Sequence, residues 1–162
     1  MKNIVLGALG VCMMLQVGCV SRTQGLFTKP ELNEFHRYAV LGLSLEHEQI
    51  FMATFLKVFG KENIVFVERN LLSELLREQD LYKVGNRLND ATRAKMKEIL
   101  GVEALILCDY YDVGVGKTAK KFRVRIVNCE TGEIVGSVIT QAGDNFERHC
   151  VSAITALYRD LN

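Results

Sequence analysis

The stretch Ile64–Gln79, IVFVERNLLSELLREQ, decides the fold. Ile64, Val65, Phe66 and Val67 form an unbroken apolar run, the pattern of a strand covered on both faces. Leu71, Leu72, Leu75 and Leu76 then switch to helical spacing. Asn70 is a favoured N-cap residue, so a helix is predicted over Leu71–Gln79. Glu68, Arg69 and Asn70 make the hinge between the two. A strand that feeds a helix so abruptly is half of a βαβ unit.

Upstream, Arg37–Leu43 reads as a central apolar strand. Glu46–Phe59 carries Phe51, Phe55, Val58 and Phe59 on one stripe, an amphipathic helix that Gly60 can stop. The order strand, helix, strand predicts parallel pairing of the first two strands. Downstream, Asp80–Asn89 reads as a loop. Asp90–Leu100 is a third helix, with Asn89 or Asp90 as its cap and Gly101 as its stop. Val102–Tyr111 is a strand with an apolar middle. Lys121–Asn128 alternates Phe122, Val124 and Ile126 against Arg123 and Arg125, a strand with one wet face. Cys129–Gly132 is a tight turn, and Glu133–Thr140 returns as the partner strand. Asp144 or Asn145 caps a last helix with the stripe Phe146, Cys150, Ile154, Leu157 and Leu161. The expected fold is a single α/β domain on a mixed β-sheet, in the order β-α-β-α-α-β-β-β-α.

The chain has 162 residues, 49% hydrophobic and 24% charged, enough for one globular domain and a short appendage. Its formal charge of +1 lacks the basic surplus that binding a phosphate backbone requires, so no nucleic-acid partner is expected. Met1-Lys2-Asn3 is a minimal positive start. The apolar run Ile4–Leu15 is shorter than the ~20 residues of a bilayer-spanning helix and suits a signal-peptide core. Gln16-Val17-Gly18-Cys19 then resembles a bacterial lipobox, with Gln16 where leucine is usual. Cleavage between Gly18 and Cys19, with acylation of Cys19, is the expectation, and it makes the membrane a partner through the N-terminal lipid. Val20 after the cysteine favours the outer membrane, by analogy with enterobacterial sorting. Residues 1–18 are thus a signal peptide. Residues 19–36, polar and patternless apart from Leu26-Phe27, read as a lipidated cysteine and tether, and 37–162 as the domain.

Candidate chemistry is sparse. Gly114-Val115-Gly116-Lys117-Thr118 imitates a phosphate loop, but Tyr111 stands where the motif needs glycine and both flanks read as strands. It is a hairpin turn, and no nucleotide is expected. Glu68 and Arg69 sit where α/β enzymes place catalytic groups, yet no second acid, histidine or nucleophile converges on them. Their expected role is to order the corner through local ion pairs or backbone contacts. Glu78 and Gln79 close the helix on its polar side as a packing or subunit contact. Cys108, Cys129 and Cys150 form no CxxC, and no metal or cofactor is expected. An oxidising compartment permits a disulfide among them with one thiol left over. Cys108 and Cys150, on apolar stripes, suit packing as small hydrophobes. His36 and His47 have no evident partners.

Val67-Glu68-Arg69, Leu72, Leu75-Leu76, Glu78-Gln79 and Leu81 resemble the hallmark of the CsgG family of lipoproteins, to which penicillin-binding-protein activator lipoproteins are related. Leu100–Ile106 is similar to that family's strand entry, and Arg125-Ile126-Val127 with Thr131–Val135 is similar to its hairpin. The resemblance spans Tyr38–Leu161. It implies a periplasm-facing outer-membrane lipoprotein that assembles with envelope proteins or with itself and catalyses nothing. It leaves open a subunit of an oligomeric secretion channel or an activator of a peptidoglycan synthase. A membrane hairpin needs at least ~20 residues plus a turn, and Asp112–Lys120 and Gln141–Asn145 are too short for one. The exposed faces of the Leu71–Gln79 helix and of the Lys121–Asn128 strand are the expected contact surfaces.

Overall fold

A computed structural model of the chain describes residues 22–60, 63–78, 90–113 and 119–162, apart from the side chains of Leu75, Leu76 and Glu78. The domain is a mixed sheet of six strands with helices on both faces. Its strands are β1 (Arg22–Thr28), β2 (Arg37–Leu41), β3 (Val65–Phe66), β4 (Ala104–Val113), β5 (Ala119–Asn128) and β6 (Ile134–Ala142). Its helices are α1 (Leu45–Phe59), α2 (Arg69–Glu78), α3 (Asp90–Leu100) and α4 (Phe146–Leu161), with a short 3-10 turn over Pro30–Glu34. The strand order is β1-β6-β5-β4-β2-β3. β2 runs parallel to β3 and β4, and the remaining pairs are antiparallel.

Caps and glycines set most boundaries. The Ser44 side chain accepts the His47 N–H at the start of α1, and Gly60 ends that helix in the left-handed region at φ 60°. Gly101 ends α3 at φ 64°, and Asn145 caps α4 by accepting the Arg148 N–H. Asn128 Oδ1 accepts the N–H groups of Glu130 and Thr131, which folds the turn between β5 and β6.

One face of the sheet carries the larger core. Tyr38, Val40, Ile106, Phe122, Val124 and Ile126 meet Phe51 and Phe55 of α1 and Cys150, Ile154 and Leu157 of α4. On the other face Ala39 and Leu105 meet Leu72 of α2 and Met96 of α3 in a smaller cluster. Period-2 patterning on β5 and helical patterning on α1 and α4 thus converge on one apolar layer.

Four expectations are corrected or narrowed. Residues 22–34 are not a tether: β1 pairs antiparallel with β6, Lys29 N–H bonds Val135 O at 2.7 Å, and Leu32 is 0% exposed. The segment lacked a period because an edge strand is held mainly through its backbone, with side chains left to solvent on both sides. The Ile64–Val67 run is covered on both faces, Ile64 by the larger core and Val67 by the smaller cluster. Only Val65–Phe66 pairs as a strand, however, at the opposite edge of the sheet, and Val65 is exposed. Nor is Asn70 the N-cap, because α2 begins at Arg69; Asn70 lies in the first turn and its Nδ2 donates to Glu68 Oε1 at 3.4 Å. The second face of β5 is only half wet, with Arg123 and Arg125 partly buried between neighbouring strands.

Candidate functional site: the strand-to-helix corner

The corner forms where β2 turns into α1 and β3 turns into α2. Gly42 follows β2 with φ 92°, and a Cβ there would clash with Cys108 O of β4. Only glycine allows the chain to leave the sheet at that point. The turn aims the first helical residues back over the sheet, which buries the Glu48 carboxylate beneath the start of α2. Arg69, the first residue of α2, donates from Nη1 to Glu48 Oε2 at 2.7 Å and to Leu43 O at 3.1 Å. A cleft of about 220 Å³ lies here, lined by Val40, Gly42, Glu48, Arg69, Leu72 and Ser73.

Arg69 thus orders the corner through an ion pair and a backbone contact, with its carboxylate partner on α1. Glu68 is exposed, its backbone carbonyl accepts the Leu72 N–H, and its carboxylate takes the Asn70 amide. Sequence reasoning missed Glu48. The signal was a carboxylate inside the apolar stripe of α1, a position that demands a cationic partner. Chemically the arrangement is a clamp. The guanidinium donates to the carboxylate and to a backbone carbonyl, so both charges are held in structural bonds. Glu78 belongs to α2, but its side chain and all of Gln79 lie outside the described residues. So do Gly18, Cys19 and the loop Gly114–Thr118, whose flanks, β4 and β5, pair as strands up to Val113 and Ala119.

Among the described residues, the three cysteines and His149 are buried in structural roles. Cys108, Cys129 and Cys150 are buried free thiols. Burial lifts the Cys108 thiol well above its usual range and pushes Cys129 and Cys150 up to about 12, so all three stay protonated. His149 is buried, with Nδ1 2.7 Å from Thr140 Oγ1 and Nε2 3.1 Å from Gly143 O. A carbonyl only accepts, so Nε2 carries the proton and Nδ1 accepts the Thr140 hydroxyl. Burial holds His149 below its ordinary pKa and keeps it neutral, against the Gly143 bond and the Asp144 charge. His47 stacks on Phe146 with centroids 4.0 Å apart. Glu103 Oε2 accepts the backbone N–H groups of His36 and Arg37, tying the start of β2 to that of β4. Among the described residues no three His, Cys, Asp or Glu side chains gather as metal ligands, and no helix is long and apolar enough to cross a membrane.

The other exposed element of interest is α2. Asn70, Leu71, Glu74 and Arg77 face solvent, with Leu71 48% exposed, while Leu72 is buried against the sheet.

Comparison with known proteins gives one family. The model described as curli production assembly/transport component CsgG matches residues 58–119. No protein of curated function matches the chain in sequence. Among solved structures, the PelC dodecamer from Paraburkholderia phytofirmans is similar at 14% identity, over 88% of this chain and 97% of that one, with a TM-score of 0.49. The LpoB C-terminal domain from Salmonella enterica is similar at 12% identity, over 67% and 83%, with a TM-score of 0.48. Lipoprotein GNA1162 from Neisseria meningitidis is similar at 12% identity, over 68% and 82%, with a TM-score of 0.44. From the end of α1 through β4, the stretch that holds Arg69 and the exposed face of α2, the chain is similar to the CsgG family model.

Proposed function

We propose that the chain is an outer-membrane lipoprotein, anchored by an acylated Cys19, whose domain faces the periplasm and acts by binding envelope proteins. The observation that carries the reading is the CsgG match over residues 58–119, which contains α2, a helix that keeps Leu71 in solvent. An exposed leucine between Asn70, Glu74 and Arg77 is an apolar anchor in a polar rim, the composition of a protein-contact patch. The Glu48–Arg69 clamp supports a non-catalytic role, because it fixes α2 to α1 and the β2–α1 turn through groups already engaged in hydrogen bonds.

The scaffold reading is preferred to a channel subunit on chain length. Five residues separate β4 from β5 and three separate β6 from α4. A membrane-spanning hairpin needs roughly 20 residues plus its turn.

The test is photo-crosslinking in intact cells from a reactive side chain at Leu71, compared with one at Lys57 on α1. The reading expects an envelope protein crosslinked from position 71 and not from 57. Equal yields from both positions, or an activity abolished by Glu48→Gln in a folded protein, would contradict it.

A further inference from the structure

The anchor and the fold meet at the sheet edge. Only Val20 and Ser21 separate Cys19 from β1, which begins at Arg22. Three residue steps of extended chain reach at most about 11 Å. Given the acylation of Cys19 proposed above, the β1 edge is therefore held beside the headgroups. It does not hang from a long tether.

The strand register shows what stands at that edge. On the sheet face opposite α1 and α4, Arg22 lies across from Gln141, Gln141 from Lys121, and Lys121 from Tyr111. The next row is Gln24, Ile139, Arg123 and Asp109, and the next is Phe27, Ser137, Arg125 and Leu107. The larger core occupies the opposite side of these strands. The smaller cluster under α2 and α3 draws on β2 and β4, and reaches β5 only through Val127.

The face is cationic. Arg22, Lys121, Arg123 and Arg125 share it with one acid, Asp109, which lies 3.8 Å from Arg123. Arg125 Nε is buried and has no acceptor among the described residues. Tyr111 receives a hydrogen bond from Arg123 Nη2 at 3.3 Å, and Phe27 at the edge is 42% exposed. Arginine and lysine beside tyrosine and an exposed phenylalanine is the composition that settles at a membrane interface.

We propose that this β1–β6–β5 face is a seat for anionic phospholipid headgroups of the leaflet that holds the anchor. The short link supplies proximity, and the Lys121–Arg123–Arg125 column supplies the charge. Seating fixes the domain's orientation, so that α1 and α4, on the other side of the sheet, point into the periplasm.

The test is acetylation footprinting of the purified lipoprotein in nanodiscs of phosphatidylcholine alone or with 30% phosphatidylglycerol. The expected result is Lys121 labelling about fivefold slower in the anionic discs, with Lys57 unchanged, and protection lost in 0.5 M salt or with Arg22→Glu. Equal Lys121 labelling in both discs would overturn the seat. So would Lys121 protection already present in detergent solution, which would mean a second copy covers the face. The mass of the N-terminal peptide from the same sample reads the anchor separately, so loss of the anchor and loss of the seat are told apart.

Discussion

A methyl group at Gly42 would meet the carbonyl oxygen of Cys108, and φ 92° is itself unfavourable for any other residue. Gly42→Ala should therefore cost about 3 kcal/mol in urea unfolding, against a few tenths for a surface alanine. The Glu48–Arg69 pair is asymmetric, because the Glu48 side chain is 7% exposed and that of Arg69 is 41% exposed. Arg69→Met strands a buried carboxylate and should cost about 1–3 kcal/mol, reduced from the fully buried case by solvent at the arginine. Glu48→Gln leaves Arg69 its carbonyl and its water, and should cost less. Equal losses would show that the carboxylate is not the buried partner. His149 contributes a pH dependence of known sign. Its folded-state pKa is depressed, so the neutral form is common to both states above about pH 6.5 and stability there is full. As pH falls below that value the unfolded chain takes up the proton first. The melting temperature should drop between pH 7 and 5, and His149→Asn should flatten that part of the profile.

Among the elements, the Pro30–Glu34 turn and β1 offer the clearest test of where the domain begins. Leu32→Ala empties a fully buried site and should cost about 2–4 kcal/mol. A tether residue would cost nothing measurable. Amide exchange should likewise find the β1 groups bonded to β6 protected. Much of the rest was legible in sequence because the signals were local. Gly60, Gly101 and Asn145 stop or cap α1, α3 and α4 at the expected places, and the alternation of Phe122, Val124 and Ile126 marks the buried side of β5. The failures have a common cause in pairing between distant parts of the chain. The run Ile64–Val67 is buried on opposite faces at Ile64 and Val67, as its apolar pattern implies, yet its short strand ends the sheet, which the local pattern does not reveal. β1 carries no period because β6 orders it through the backbone. At the corner, Arg69 was recognisable as a candidate but its partner was not, since Glu48 lies 21 residues away and meets it only once both helices pack.

For the whole molecule, the sheet separates two surfaces, and under the proposed acylation of Cys19 the N-terminus sets which of them meets the membrane. A tether over residues 19–36, as the polar segment suggested, would have left the domain free to present any side. With β1 built into the sheet from Arg22, only Val20 and Ser21 stand between it and Cys19, so the proposed anchor would make the domain's orientation a consequence of the fold. The stretch similar to the CsgG model runs from the end of α1 through β4, and its helix α2 packs on the same sheet face as Lys121 and Arg123 but toward β2, away from the β1 edge. The most direct measurement is the mass of the N-terminal peptide released from the protein isolated from membranes. The account predicts a peptide beginning at Cys19 and carrying acyl chains. A peptide beginning at Met1, or one with an unmodified Cys19 thiol, would contradict it.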